Sequence, residues 1–267
     1  MILERKLFKN GGICNQESVK LNKIDIDLDK LEKDLSIPKN ILYSHKNWAL
    51  NDKNEYYYYK VLNNYNDFIG EELAKKLKLP TAHYELGKID DNFVVATKNF
   101  NINNVKYINA FELLNKDISY QTNIFKLKFL ENIYGRNLVL EILKMTSLDI
   151  FMRQIDRIPS NYAFENCNNK IQLAPLYDYS FAFFDYENYK YLNYLLKLDF
   201  SYDIEGIKNI INKYPEFYNY LSLMNNINLR DLVNNITNKN NFNYNKILDE
   251  KYDRENENSH KLLKKII

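Results

Sequence analysis

Asp156 and Asn161 stand five positions apart in the segment FMRQIDRIPSNYAF, residues 151–164, which follows an apolar stretch typical of a helix. A carboxylate that accepts a proton from a hydroxyl group, followed five residues later by a carboxamide that binds a metal ion, is an arrangement used in phosphoryl transfer. That chemistry also requires a bound triphosphate and an acceptor hydroxyl held in line with it. The remainder of the chain must therefore supply a phosphate-binding group and a second metal ligand.

Two further residues have the types and the order in sequence that this chemistry requires. Lys60 follows four tyrosines in the run YYYYK and is a candidate for contacting phosphates, and Asp178 is a candidate for binding Mg²⁺. Each residue also has an ordinary interpretation. An isolated D-x-x-x-x-N motif is weak in a chain rich in asparagine, and a lysine among aromatic residues of a strand is commonly just solvated.

The residues after Asn161 predict a β-hairpin that brings two of the candidates together. Residues 162–164 (YAF) begin one strand, residues 166–170 (NCNNK) form the turn, and residues 171–174 (IQLA) form the second strand before Asp178. Since Asn161 precedes the first strand and Asp178 follows the second, both side chains lie at the same end of the hairpin. A metal ion could bridge them there.

The first hundred residues predict an antiparallel sheet with one helix. Alternation at Ile24, Ile26 and Leu28 indicates a strand within residues 19–31, and residues 47–50 and 55–62 form a hairpin around the polar turn 51–54. Strands are also predicted at 81–87 and 92–100, and a helix at 67–79 ends before Pro80. A phosphate-binding lysine needs an acidic partner on that helix, and three residues are candidates: Asp67, Glu71 and Glu72.

From about residue 101 the pattern changes to helices, including one at 138–154 and one at 203–214 with Asp203 as its N-cap. The last fifteen or so residues are rich in charged and amide side chains and predict an exposed end. The sequence thus predicts two parts, a β-rich unit at 1–100 and a helical unit at 101–267.

Composition restricts the classes of protein and of partner. The 267 residues are 45% hydrophobic, which suffices for a real core, and 37 basic against 35 acidic residues leave a net charge of +2. This balance predicts no direct binding to nucleic acid and no attraction to a membrane. Two distant cysteines, no apolar run of about 20 residues and no signal-peptide pattern at the start predict a cytoplasmic protein with free thiols.

The chain resembles the HipA-like serine/threonine kinases over roughly residues 41–185. Residues 44–48 (SHKNW) followed by Tyr58-Tyr59-Lys60 resemble the family's loop and lysine strand, and residues 66–80 resemble its N-E-x(6)-L-A-x-x-L-G-[IL]-P helix, with Asp67 in the place of the glutamate. Residues 155–164 resemble the N-x-D-R-H-x-x-N segment. Residues 173–183 (LAPLYDYSFAF) resemble L-A-P-x-Y-D-x-x-x-S/F, the most specific of these motifs.

This resemblance implies an α+β, two-lobed protein-kinase-like fold with ATP and Mg²⁺ in the cleft. It assigns Asp156 as the catalytic base, and the remaining residues as ligands of the metal or of ATP. Asn161 and Asp178 would bind Mg²⁺, Lys60 would contact the phosphates beside Asp67, and the backbone near Lys98, Asn99 and Phe100 would contact adenine. Ser44 lies in the loop that would cover the phosphates, where a regulatory phosphate is one interpretation and an ordinary surface serine the other.

The resemblance also implies partners, and three departures from the motifs leave alternatives open. The implied acceptor is a serine or threonine hydroxyl of another protein, and an antitoxin protein is a candidate partner. However, Ile158 replaces the motif's His, Gln154 replaces its Asn, and residues 44–54 contain no glycine. The alternatives are a pseudokinase that binds a nucleotide or a partner without turnover, and a phosphotransferase of the same fold that acts on a small molecule or lipid.

Overall fold

The computed structural model describes residues 18–23, 47–62, 65–90, 92–99, 107–108, 113, 123–154, 157, 162–183, 204–239 and 246–267. Within these ranges it contains eight strands and seven helices, a mixed α and β architecture as predicted. Nine residues named above lie outside the described residues: Ile24, Ile26, Leu28, Ser44, Phe100, Asp156, Ile158, Asn161 and Asp203.

The first five strands form a closed barrel in the order β1-β2-β3-β5-β4. They are β1 (Val19–Lys23), β2 (Trp48–Asn51), β3 (Tyr56–Val61), β4 (Tyr84–Ile89) and β5 (Asn92–Lys98). All neighbouring pairs are antiparallel except β1 and β4, which pair in parallel and close the barrel. The sequence predicted a purely antiparallel sheet, because alternation of side chains shows which face of a strand is buried and not which strand lies beside it.

Strand β3 separates its side chains between two cores. Tyr57 and Tyr59 belong to the small apolar cluster of the barrel, together with residues such as Leu21 and Val94. Tyr56 and Tyr58 pack instead against the main core of the chain. Because side chains alternate along a strand, Lys60 lies on the same face as Tyr58, away from the barrel cluster.

Helix α1 (Asn66–Lys76) follows β3 after a short connection and covers the barrel on the side of the main core. Its buried apolar residues Phe68, Ile69, Leu73 and Ala74 recur at helical spacing. The predicted helix, 67–79, extends about one turn beyond the observed C-terminal end at Lys76. The backbone N–H groups of Leu77 and Lys78 still donate to carbonyls of the last turn.

The second half contains a three-stranded sheet and six helices among the described residues. The sheet order is β6 (Tyr107–Ile108), β7 (Phe164–Cys167) and β8 (Lys170–Leu173). The predicted hairpin at 162–174 is thus present, and its turn residues Asn168 and Asn169 have φ angles of 51° and 64°, which suit the tight turns of hairpins. The first two helices are α2 (Asn123–Tyr134) and α3 (Arg136–Met152).

Four helices form the remainder of the described chain: α4 (Ile204–Lys213), α5 (Glu216–Asn225), α6 (Leu229–Lys239) and α7 (Lys246–Ile266). The prediction of an exposed C-terminal end is wrong. Helix α7 buries Tyr252, Leu262, Leu263 and Ile266 in the main core. These few apolar residues share one face of a long helix whose other faces are charged, so average composition concealed the pattern.

The main core runs from the outer face of the barrel through α1 to α3 and α7. This core includes residues from both parts of the chain, so it does not separate them. The division into units at 1–100 and 101–267 stays a prediction. None of the helices in the described ranges is long and apolar enough to cross a membrane.

We expect the variant Gly70→Ala to unfold at a lower temperature than the wild type. A methyl group at Gly70 of α1 would lie only 2.3 Å from Cγ of Tyr179, although alanine favours a helix by about 1 kcal/mol over glycine. In a Tyr179→Ala background the same change should instead raise the unfolding temperature, because the obstructing ring is gone. Thermal unfolding followed by circular dichroism measures both effects, and stabilisation in both backgrounds would contradict this packing.

Candidate active site

Lys60 is the centre of a cluster of charged and polar side chains. Its Nζ atom lies 2.9 Å from Oδ1 of Asp67, 2.9 Å from Oδ1 of Asp178 and 2.7 Å from Oγ of Ser180. The side chains of Lys60, Asp67 and Asp178 are only 16%, 5% and 17% exposed. The structure therefore brings together three of the residues predicted from the sequence, from three separate elements.

Local structure explains how each of these side chains reaches the cluster. Lys60 projects from the face of β3 that is turned away from the barrel cluster, and Asp67 lies in the first turn of α1. Asp178 follows strand β8 after a short extended segment, in which the N–H of Leu176 donates to the carbonyl of Pro80. The Oδ1 atom of Asp67 also accepts a hydrogen bond of 2.9 Å from the backbone N–H of Tyr179. Asp67 thus holds both Lys60 and the segment that carries Asp178.

The electrostatics of the cluster keep Lys60 charged. Burial opposes the charge on its ammonium group, but the carboxylates of Asp67 and Asp178 more than offset this cost and raise the pKa of Lys60 above its ordinary value. Tyr58, on the same face of β3, is also affected. Burial raises the pKa of Tyr58 to about 12 although the nearby Lys60 acts against this shift.

The other two acidic residues considered for Lys60 have different partners. Glu71 accepts hydrogen bonds from the backbone N–H of Tyr84 and from Lys75, and it contacts Nδ1 of His83 at 2.7 Å. Burial works against the charge of Glu71, yet these donors lower its pKa. Glu72 pairs with Lys75 at 2.9 Å. Asp67 is therefore the residue of α1 that contacts Lys60.

Asp178 has a backbone conformation that is unusual for a residue with a side chain. Its φ angle is 57°, in the left-handed region. Its N–H donates to the hydroxyl of Tyr84 at 2.9 Å, and its carbonyl accepts a hydrogen bond from Nε2 of Gln154, also at 2.9 Å. Its Oδ1 atom accepts a further bond from the hydroxyl of Ser180. Strained residues of this kind persist where surrounding bonds hold them and are common at functional sites.

Gln154 and Arg157 precede and follow Asp156 in the chain, and both contact the segment that carries Asp178. Arg157 donates to the carbonyl of Tyr177 at 2.8 Å, and its guanidinium lies 5.1 Å from the centre of the Tyr179 ring. Burial opposes the charge on Arg157, but the carboxylate of Asp149 outweighs it and raises the pKa of Arg157. Nη2 of Arg157 lies 3.0 Å from Oδ1 of Asp149, and both side chains are almost fully buried.

Several contributors to this site were not predicted from the sequence. Ser180 touches both Lys60 and Asp178, and Asn66 at the start of α1 donates to the carbonyls of Ser180 and Ala182. Asp149 pairs with Arg157, and Gln154 donates a hydrogen bond to the carbonyl of Asp178. The available signal was closeness in the chain to Asp67 for Asn66, to Asp178 for Ser180, and to Asp156 for Asp149 and Gln154, because a reacting group needs support from residues close to it.

The predicted adenine-binding backbone is only partly described. Lys98 ends β5, and its Nζ atom contacts Oε1 of Glu55 at 2.5 Å, on the partly exposed side of the β2–β3 hairpin. The N–H of Asn99 donates to the carbonyl of Tyr56. Most of the glycine-free segment 44–54 is strand β2 and its turn, in which Asn51 caps the N–H groups of Lys53 and Glu55. Ser44 lies outside the described residues.

Of the two predicted Mg²⁺ ligands, Asn161 and Asp178, only Asp178 lies among the described residues. In the parts of the chain that the structure describes, no group of three or more His, Cys, Asp or Glu side chains could hold a metal. Mg²⁺ prefers hard oxygen ligands and is commonly bound by one or two carboxylates together with phosphate oxygens. The carboxylate of Asp178, next to the lysine proposed for the phosphates, has the chemistry of such a ligand.

Comparisons with solved structures identify the class of fold. One match is HipA from the Shewanella oneidensis MR-1 toxin–antitoxin complex of HipA, HipB and operator DNA. It has a TM-score of 0.53 and 10% sequence identity, and it covers 96% of this chain and 73% of that chain. No protein-family model and no curated protein sequence matches the chain. The resemblance to HipA-like kinases predicted from the sequence is thereby confirmed at the level of the fold.

A second match is the Helicobacter pylori proinflammatory kinase CtkA, with a TM-score of 0.42 and 18% identity. It covers 66% of this chain and 63% of that chain, so the chain spans less than two thirds of the length of CtkA. A similarity this partial adds nothing to the assignment.

We expect Asp67→Asn to make the amine of Lys60 more reactive towards acylating reagents, and Glu71→Gln to leave its reactivity unchanged. Asparagine keeps an oxygen for the N–H of Tyr179 but removes a charge that raises the pKa of Lys60, whereas Glu71 contacts other groups. Mass spectrometry of acylated peptides measures the labelling rate at Lys60 in each variant. An equal or larger effect from Glu71→Gln would contradict this arrangement.

Proposed function

We propose that this protein is a HipA-like kinase that transfers the γ-phosphate of ATP to a serine or threonine hydroxyl of a protein. The observation that supports this most directly is the meeting of Lys60, Asp67 and Asp178. A strand lysine, an acid from the following helix and an Asp after a hairpin are the groups that such a reaction needs to hold phosphates and a metal ion. The HipA-like fold supports the same assignment.

In the proposed reaction Lys60 contacts phosphate oxygens and Asp67 holds its ammonium group in place. The buried position of Lys60 strengthens such a contact, because charges interact more strongly away from water. Ser180 and the backbone N–H of Tyr179 keep the two carboxylates in fixed orientations. The backbone near Lys98, Asn99 and Phe100 is proposed to contact adenine.

Asp178 and Asn161 are the residues that would hold Mg²⁺, which when bound neutralises charge on the phosphate oxygens. Asp156 is proposed as the base that accepts the proton of the acceptor hydroxyl. Its described neighbours Gln154 and Arg157 bond to the backbone of Asp178 and Tyr177. These contacts support assigning Asp156 and Asp178 to one site.

The proposed partners are a protein that carries the acceptor hydroxyl and, as a class, an antitoxin-like protein. The HipA structure is a complex with HipB and operator DNA. That complex supports a protein partner of this kind by analogy of fold alone. Its DNA component runs against the expectation, drawn from the balanced net charge, that no nucleic acid is contacted.

The test is incubation of the purified protein with Mg²⁺, ATP labelled in its γ-phosphate and an added generic protein acceptor. We expect label on protein that falls roughly 100-fold or more in Asp156→Ala, the size of effect usual for a lost proton acceptor. The label on protein should also fall strongly in Lys60→Met and in Asp178→Asn. Lys208→Met and Asp231→Asn, at exposed positions of α4 and α6, are matched controls and should keep full activity.

Other outcomes distinguish the alternatives. ATP binding without transfer to any acceptor would refute the kinase proposal and indicate a nucleotide-binding pseudokinase. Transfer to small alcohols in preference to proteins would keep the chemistry but reject the protein acceptor. Label on protein that survives in Asp156→Ala would reject the assigned base.

A further inference from the structure

The end of helix α3 leads directly to Asp156, and its last carbonyl groups require hydrogen-bond partners from outside the helix. The first two of these partners are local. The carbonyl of Ile150 accepts from the N–H of Arg153 at 3.2 Å, and the carbonyl of Asp149 accepts from the N–H of Gln154 at 2.9 Å. Arg153 adopts a left-handed conformation with φ of 47°, a common way for the chain to leave a helix but usually one made by glycine.

The other two carbonyls are satisfied by distant parts of the chain. The hydroxyl of Ser259, in the C-terminal helix α7, donates to the carbonyl of Phe151 at 2.6 Å. The N–H of Phe183, five residues after Asp178, donates to the carbonyl of Met152 at 2.5 Å. The turn that begins the segment of Asp156 is therefore closed by α7 on one side and by the segment of Asp178 on the other.

A buried ion pair strengthens the link between α7 and this turn. The guanidinium of Arg153 pairs with the carboxylate of Glu255, and the two side chains are 1% and 8% exposed. Glu255 also contacts the exposed Arg254, at 3.5 Å. A buried charge that loses its partner is strongly unfavourable, so Glu255 restricts where Arg153 can lie.

Helix α7 also contacts the segment of Asp178 directly. The ring of Tyr252 packs edge-on against Phe183, with 6.1 Å between the ring centres. Tyr252, Glu255 and Ser259 follow one another at intervals of three and four residues and therefore share one face of α7. That single face contacts the chain before Asp156 and the chain after Asp178.

We propose that this face of α7 is a positioning element of the active site. Glu255 acts through Arg153, and Ser259 acts through the carbonyl of Phe151, to fix the turn from which the segment of Asp156 starts. Tyr252 fixes Phe183 against the same turn. The consequence for catalysis rests on the proposed kinase function, whereas the mechanical link between α7 and the turn does not.

The position of Arg153 in the chain explains why loss of this link should lower the rate of phosphate transfer. Asp156 follows Arg153 by three residues, so a change in the direction of the chain at Arg153 displaces the carboxylate relative to the acceptor hydroxyl. Misplacing a reacting group by about 1 Å can lower a rate roughly 100-fold. The phosphate contact of Lys60 comes from β3, and Asp67 in the first turn of α1 holds its ammonium group without any contact to this turn in the described part of the chain. Loss of the link is therefore expected to change kcat more than the KM for ATP.

The experiment uses Glu255→Gln and Ser259→Ala in the full chain, with Glu257→Gln as the matched control. Glu257 lies on the same helix but is exposed and pairs with Lys261 at 2.7 Å. Residue-resolved hydrogen exchange should show faster exchange, by about tenfold, at the amides of Gln154 and Phe183 in the first two variants. Exchange in strand β5 should stay unchanged. kcat should fall about tenfold or more with KM for ATP within about twofold.

A double-mutant cycle tests whether Glu255 acts through Arg153. If it does, kcat of Glu255→Met combined with Arg153→Met should be no lower than that of Glu255→Met alone. If the losses of kcat in the single variants Glu255→Met and Arg153→Met instead add fully in the double variant, the proposed route through Arg153 is overturned.

Two results would overturn the positioning role itself. One is unchanged exchange at Gln154 and Phe183 in both Glu255→Gln and Ser259→Ala. The other is exchange that accelerates equally in β5, which indicates general destabilisation. Should the wild type transfer no phosphate, the proposed function fails, yet the exchange measurements still decide whether α7 holds the turn.

Discussion

The buried ammonium group of Lys60 is the interaction on which the arrangement of the site depends. A charge that is largely removed from water must be compensated by opposite charge and hydrogen bonds. Asp67, Asp178 and Ser180 supply both. For this to occur, a strand of the barrel, the first turn of α1 and the segment after β8 must lie within one side-chain length of each other. The ion cluster and the packing of these elements therefore require one another.

The second constraint is backbone strain next to the site. Arg153, Asp178 and Phe183 all have φ angles near +50° to +60°, a region that costs residues with side chains of order 1–3 kcal/mol each. Asp178 and Phe183 are held by hydrogen bonds that cross between the segments of Asp156 and Asp178, from Gln154 to the carbonyl of Asp178 and from Phe183 to the carbonyl of Met152. Arg153 is held by its pairing with Glu255 of α7. Left-handed residues also occur away from the site, at Asn54, Lys78, Asp90, Asn168 and Asn169, but Arg153, Asp178 and Phe183 lie in the segments to which the reacting groups are assigned.

Local patterns explain why much of the fold could be predicted from the sequence. Alternating residues identified the hairpins of β2 with β3 and of β7 with β8, and helical spacing identified α1 and α3, because each pattern follows from contacts within a few residues. The same reasoning failed for the closing pair of β1 with β4 and for α7. A parallel partner and a single buried face of a charged helix both depend on elements distant in the chain.

The sequence by itself determined which residues are chemically able to act and which short elements carry them. Lys60, Asp67 and Asp178 were found from residue type and motif, because a motif is a local property of the chain. Only the tertiary structure decided that Asp67 and neither Glu71 nor Glu72 contacts Lys60, and that Asp178 reaches it across 118 residues. The physical reason is that contact between distant residues depends on how whole elements pack, which short-range periodicity does not encode.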